Sequence, residues 1–174
     1  VTETIQDSFG NNIPDWYSGY VRALGGRSYK ELLDHHLISL PAIISKLNPS
    51  VLCFAYAEGK WTVAEVLLHL IDCERIFTYR ALRIARGDKT PLPGFDENMY
   101  VPNSGASSRS AESLVEEYRA VRQSTLTFFQ NLDAAALQRC GTANGLDFSV
   151  EMIGTIIAGH EVHHIEVLKS RYGV

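Results

Sequence analysis

Cysteine is scarce in this chain. There are three, Cys53, Cys73 and Cys140, widely spaced and odd in number. They form no C-x-x-C pair and no disulfide framework, so the cysteines point to a reducing, cytoplasmic setting. Basic excess is absent too: 16 Lys and Arg stand against 20 Asp and Glu, a formal charge of −4. Nothing electrostatic therefore recommends nucleic acid or an anionic membrane as a partner. No apolar run approaches the roughly 18 residues of a membrane span. The first residues, V-T-E-T-I-Q-D, lack both the basic and the apolar parts of a signal peptide. Glycine-rich phosphate loops with a lysine are missing, as is the G-x-S-x-G elbow of many serine hydrolases. Internal repeats and low-complexity segments are missing as well. What remains is 174 residues, 45% hydrophobic and 21% charged, the make-up of one globular domain.

Helical periodicity dominates. A first helix is expected from Ser28 to Leu47, opened by the capping box of Ser28 and Glu31 and interrupted at Pro41. A second runs from Thr62, paired with Glu65, to Arg86 before Gly87. A third covers Ser110 to Leu132, and a fourth Ser149 to Tyr172 before Gly173. A short helix from Asp15 to Leu24 precedes them, inside an N-terminal extension of residues 1–27. The strand signal is weak. V-L-C-F-A-Y-A and G-L-D-F-S-V could each be extended, but neither has a clear partner. The long segment Asp88 to Arg109 holds three prolines and is too long for a hairpin between antiparallel neighbours. It is expected to cross the bundle, so that helices two and three run parallel, and to bring side chains such as Phe95, Asp96, Glu97, Met99 and Tyr100 near a functional pocket. The fold class is all-α, a four-helix bundle formed by a single domain of residues 1–174.

Three histidines carry the chemistry. His160 and His164, in H-E-V-H-H, are four apart and stack on one helix face. One helix supplies two metal ligands in this way. His69 flanks the apolar stripe of the second helix and could supply a third, with ligand nitrogens within about 4 Å of one another around one centre. Projection puts His164 inside the stripe of the fourth helix, His160 at its edge and His163 toward solvent. A lone histidine on an apolar face is usually a satisfied core residue, but two buried neutral imidazoles one turn apart each need partners for both nitrogens.

H-E-V-H-H also matches the H-E-x-x-H pattern of zinc proteases, with Glu161 as general base. No clear sheet edge is available to hold an extended peptide, which counts against a protease. Glu161 remains open as a base, a partner to a ligand, or half of a buried ion pair. Glu74 falls near the centre of the second stripe and needs a partner, Arg119 or Arg122. Cys73, one turn from His69, is either a small core residue or a fourth ligand.

Together, K-W-T-V-A-E-V-L-L-H-L-I-D-C-E-R, the loop motif L-P-G-F-D-E and A-G-H-E-V-H-H-I-E-V-L resemble the DinB-like superfamily over residues 28–172. The resemblance implies a bundle of up-down-down-up topology with a long crossover between helices two and three. It implies a divalent metal, nickel or zinc, held by His69, His160 and His164, and a homodimer. It leaves the reaction open between thiol-dependent transfer with a low-molecular-weight thiol, slightly favoured, hydrolysis of a small-molecule substrate, and metal binding without turnover. A divalent ion held by three neutral ligands would activate a thiol or water near neutral pH.

Overall fold

In a computed structural model, which describes residues 4–174, helices account for nearly all regular structure. In chain order they are α1 (Ser18–Ala23), α2 (Tyr29–Ile44), α3 (Pro49–Leu52), α4 (Val63–Ala85), α5 (Glu97–Tyr100), α6 (Ala111–Gln130), α7 (Ala134–Gln138) and α8 (Val150–Val167). The four long ones, α2, α4, α6 and α8, make the bundle. Their starts are written in the sequence. Ser28, Thr62, Ser110 and Ser149 each accept a backbone N–H of the first turn, and Thr62 and Glu65 complete a reciprocal capping box.

Side-chain partners fix how the helices run. Arg75 bridges to Glu117 and Thr78 meets Thr125 further along, so α4 and α6 run in the same direction. Tyr118 reaches the His36 carbonyl and Arg122 the Leu33 carbonyl, so α2 runs against α6. Each of α2 and α4 packs on both α6 and α8. The segment after α4 must therefore travel back along the bundle. On the way it is pinned at Leu92, whose backbone exchanges hydrogen bonds with Thr142 and Asn144.

Three features differ from the sequence reading. α2 continues through Pro41 and ends at Ile44, where the Ser45 N–H and hydroxyl both satisfy the Pro41 carbonyl. V-L-C-F-A-Y-A is no strand: its first two residues close α3, capped by Asn48. G-L-D-F-S-V does have a partner. Strand β2 (Leu146–Ser149) pairs antiparallel with β1 (Cys140–Ala143). The connection is Asn144-Gly145, both at positive φ (52° and 72°), the conformation a two-residue hairpin turn requires. The molecule is thus a helical bundle carrying one small hairpin.

The N-terminal segment is not a loose appendage. Ile13, Tyr17 and Leu24 are buried in the same apolar cluster as Phe148, Ile153 and Ile157. Asp7 accepts from the Ser149 hydroxyl and from two backbone N–H groups of its own turn. Among the described residues no helix is long and apolar enough to cross a membrane.

Candidate metal centre

α4 and α8 cross where each has a histidine facing the other. His69, His160 and His164 come together with one ligand nitrogen each, all within 4.8 Å of one another. That spread is a little wider than the sequence expectation, although one pair is tighter: Nε2 of His69 lies 3.1 Å from Nε2 of His160. The ring of His164 stands edge-on to both, with centroids 5.0 and 4.6 Å away. His160 is buried and His164 half-buried, the reverse of the helical projection. The cause is α1, which packs on α8 over His160: the Tyr20 ring meets the His160 ring edge-on at 5.3 Å. His163 is exposed, meets the Tyr20 ring edge-on, and stands outside the ligand group.

The electrostatics suit a cation. Burial pushes His69 down to about 4, against a small opposing pull from Glu97. It pushes His164 down to about 3, with His69 and His163 adding to the effect. His160 falls well below the ordinary range, through burial and then its three histidine neighbours. All three rings are therefore neutral at pH 7, the form in which imidazole ligates. Nδ1 of His164 is buried with no hydrogen-bond partner. Two ring nitrogens facing each other at 3.1 Å leave at least one as an acceptor. Unused lone pairs converging in a buried pocket fit a divalent metal ion.

The remaining expectations divide. Cys73 Sγ lies 3.6 Å from Nδ1 of His69 but outside the ligand group, and burial pushes its thiol up to about 12. It stays a thiol against the ring. Its chain neighbour Asp72, another residue of α4 that could have offered a ligand, pairs with Arg75. No fourth protein ligand therefore joins the three histidines among the described residues.

Of the readings left open for Glu161, catalytic base, partner to a ligand or half of a buried ion pair, the structure shows the ion pair. The carboxylate does not line the histidine cavity. It turns away, into a buried network. His36 donates from Nδ1 at 2.7 Å, the Tyr118 hydroxyl donates to Oε1, and Arg122 donates from Nη1 at 3.0 Å. Arg122 also forks onto Glu74 at 2.8 and 2.7 Å. The general-base alternative for Glu161 finds no support in this placement, because adjacent helix residues point about 100° apart: His160 faces α4, whereas Glu161 faces α2 and α6. Of the two partners weighed for Glu74, Arg122 holds the position.

The histidines open into a cavity of about 320 Å³. Trp16, Tyr17 and Tyr20 from the N-terminal segment form one wall. Trp61, Phe77 and Arg80 flank it from α4 and the residues before it, and Phe95 and Glu97 close it from the crossing segment. Phe95 and Glu97 meet the expectation that this segment reaches the pocket. Asp96 instead caps α5, and Met99 is exposed. The wall at residues 16–20 carried no sequence signal beyond a short aromatic helix.

Gly159 is why that wall can sit so close. A Cβ at this position would lie 2.1 Å from the Tyr20 carbonyl oxygen. Gly159→Ala is expected to push α1 off α8, costing about 1–3 kcal/mol as overpacking does. Urea denaturation reads the cost, and an unchanged midpoint would show that α1 yields freely.

Comparison with known proteins agrees with this arrangement. The sequence profile of the DinB superfamily matches residues 32–168. A protein of Oceanobacillus iheyensis named "putative metal-dependent hydrolase" is 25% identical over 131 residues, covering 72% of this chain and 73% of that one. A Geobacillus thermodenitrificans protein of the same description is 24% identical over 134 residues, covering 76% and 75%. Among solved structures, YfiT of Bacillus subtilis, described as "a probable metal-dependent hydrolase with an unusual four-helix bundle topology", superposes with a TM-score of 0.66. That superposition covers 99% of this chain and 95% of YfiT at 14% identity, a likeness of fold. With the profile spanning most of the bundle and both halves of the histidine cluster, this chain belongs to the DinB superfamily.

Proposed function

We propose that this protein is a divalent-metal-dependent hydrolase of a small ester or amide, with zinc or nickel held by His69, His160 and His164. The observation that carries the reading is the ligand set: three neutral imidazoles converge at the end of an open cavity, with no fourth protein ligand among the described residues. A site of that kind keeps a position for water or substrate, whereas a purely structural site is closed. When bound, the metal supplies Lewis acidity and lowers the pKa of water.

The chain's own residues would do the rest. The three histidines fix the centre and, being neutral, cancel none of its charge. Trp16, Tyr17, Tyr20 and Trp61 restrict bulk water and hold the apolar part of a substrate. Glu97 is the one carboxylate among the described residues lining the cavity, which makes it the group able to take a proton from attacking water. The general-base role thus moves from Glu161 to Glu97.

Thiol-dependent transfer, slightly favoured by the family resemblance, is the second reading; the hydrolase names of the relatives support placing hydrolysis first. The test is metal analysis of the purified protein, then parallel screens of the loaded form with ester and amide substrates and with low-molecular-weight thiols. Turnover of an ester or amide supports the reading. A sulfur-to-metal charge-transfer band of the cobalt form with one thiol, without hydrolysis, replaces it with transfer. Once a substrate is found, Glu97→Gln is expected to lower kcat by roughly 10²–10⁴-fold, the range for loss of general base catalysis. Metal content should be unchanged. A variant with full kcat removes Glu97 from the chemistry.

A further inference from the structure

Arg80 is a buried cation without an anion. It is 4% exposed. Among the described residues no carboxylate pairs with it, and its recorded protein hydrogen bond runs from Nη2 to the Pro93 carbonyl at 2.8 Å. The other arginine buried as deeply, Arg122, holds two carboxylates. Arg80 is sandwiched by aromatic rings instead, with Phe77 and Phe95 centroids 5.7 and 5.5 Å from its guanidinium carbon. Burial lowers its pKa, the mark of a charge left without compensation.

Such a group is costly, because a buried charge is ordinarily paired. Its setting gives the reason for keeping it. Arg80 lines the same cavity as the histidines. His69, Cys73, Phe77 and Arg80 follow one another along one face of α4, and the Phe77 ring lies between Arg80 and His160, 6.1 Å from the latter. The guanidinium has five donors and one is spent on Pro93. None of its nitrogens is sealed away from both solvent and partners. The Pro93 bond and the two rings hold the fork in place, so little entropy is lost when it receives an anion.

We propose that Arg80 is the carboxylate receptor of the active site, and that the substrate is a small molecule with an apolar or aromatic body and one carboxylate. His69 and Arg80 are eleven residues apart, about 16 Å along a helix axis. Arg80 has the longer side chain, and the helical tendency to lean toward the start of the helix favours its reaching toward His69. A ligand the size of an acylated amino acid spans what remains, its body against the tryptophans and tyrosines and its carboxylate on the fork. The rigid fork can take two oxygens of a carboxylate or of a phosphate, but Arg80 is the one Lys or Arg among the described residues lining the cavity, which matches the single charge of a carboxylate rather than a phosphate dianion. The substrate class rests on the hydrolase reading, but the receptor itself is tested by binding alone.

The protein has two tryptophans, and both line this cavity. Intrinsic fluorescence therefore responds to its occupancy, chiefly through Trp61, whose ring lies 4.9 Å from that of His69, because Trp16 is largely exposed. The experiment titrates the zinc-loaded full chain with 3-phenylpropionate, 3-phenylpropanol and phenylphosphonate, none of which can be hydrolysed. The propionate should give a saturable change and bind at least 10-fold more tightly than the alcohol. Arg80→Met should abolish that preference while retaining zinc, because the three histidines are untouched. It should also leave thermal stability unchanged or raised, since an uncompensated buried charge is replaced by an apolar chain. Equal binding of acid and alcohol to the wild type, or no saturable change with the acid, overturns the proposal. So does undiminished preference in Arg80→Met, which would put the carboxylate on the metal. Tighter binding of phenylphosphonate than of the propionate overturns the carboxylate assignment. Absence of any hydrolytic activity alongside these binding results would reject the hydrolase reading and leave the receptor standing.

Discussion

Arg122→Met is expected to destabilise the protein by about 3–5 kcal/mol, the cost of removing one partner from a buried ion pair. Arg122 is 1% exposed and bridges Glu74 (4%) and Glu161 (2%). Without it Glu74 loses the cation that pairs with it, and Glu161 keeps only His36 and Tyr118, in the middle of the bundle. A loss of that size consumes much of the ~5–15 kcal/mol that keeps a typical domain folded. Urea denaturation of the variant measures it. Adding Glu74→Gln and Glu161→Gln should restore part of the loss, because neutral amides need no counter-charge. If Arg122→Met costs less than about 1 kcal/mol, the network is not holding the bundle together.

The same network sets an acid limit. Burial raises the Glu161 carboxyl, but Arg122 and then the His36 hydrogen bond outweigh burial and hold it at about 2. The folded pKa lies below the unfolded value of about 4.3. Its contribution is therefore complete above that value and is lost as pH falls toward 2. The histidines act earlier. Their folded pKa values are lowered, so between about 6.5 and 4 the unfolded chain binds more protons than the folded one. The metal-free protein should lose stability across that window, on the order of 3 kcal/mol for His69 alone. Denaturation midpoints at pH 7, 5.5 and 4 check the sign.

The second large effect concerns the metal. His160→Ala should abolish stoichiometric binding of zinc or nickel, since it removes the buried ligand facing both partners. The loss should exceed the roughly 10–100-fold in affinity that removing a mere supporting partner costs. His163→Ala, one turn's edge away on the exposed side, should keep full metal content. Elemental analysis and competition with a chelator measure both. Equal retention by the two variants would dismantle the three-histidine site.

Much of this was legible in the residues. The cap of each bundle helix is a serine or threonine ahead of an apolar period, which needs no tertiary information. The histidine pair was legible for the same reason: spacing of four is a local property of a helix. Glu74 could be expected to need an arginine because a buried charge leaves few choices. What escaped depended on which neighbour each face meets. Glu161 and His160 are adjacent, yet α8 touches four other helices, α1, α2, α4 and α7, and only the packing decides which face goes where. The aromatic wall at residues 16–20 escaped because nothing local ties it to residues 140 positions later. The hairpin alone had a local signal, Asn144-Gly145, between strands too short to show alternation.

The two facing ligand nitrogens are separated by 91 positions in the chain. A growing chain that has released α4 and α6 already holds Glu74 and Arg122, but neither Glu161 nor the second half of the metal site. The bundle at that stage has an open apolar flank where α8 belongs. Non-local closure of this kind is slow and leaves that surface exposed in the interval. A three-ligand grip on a metal ion therefore waits for that closure: the ion can join α4 to α8 only after α8 has docked.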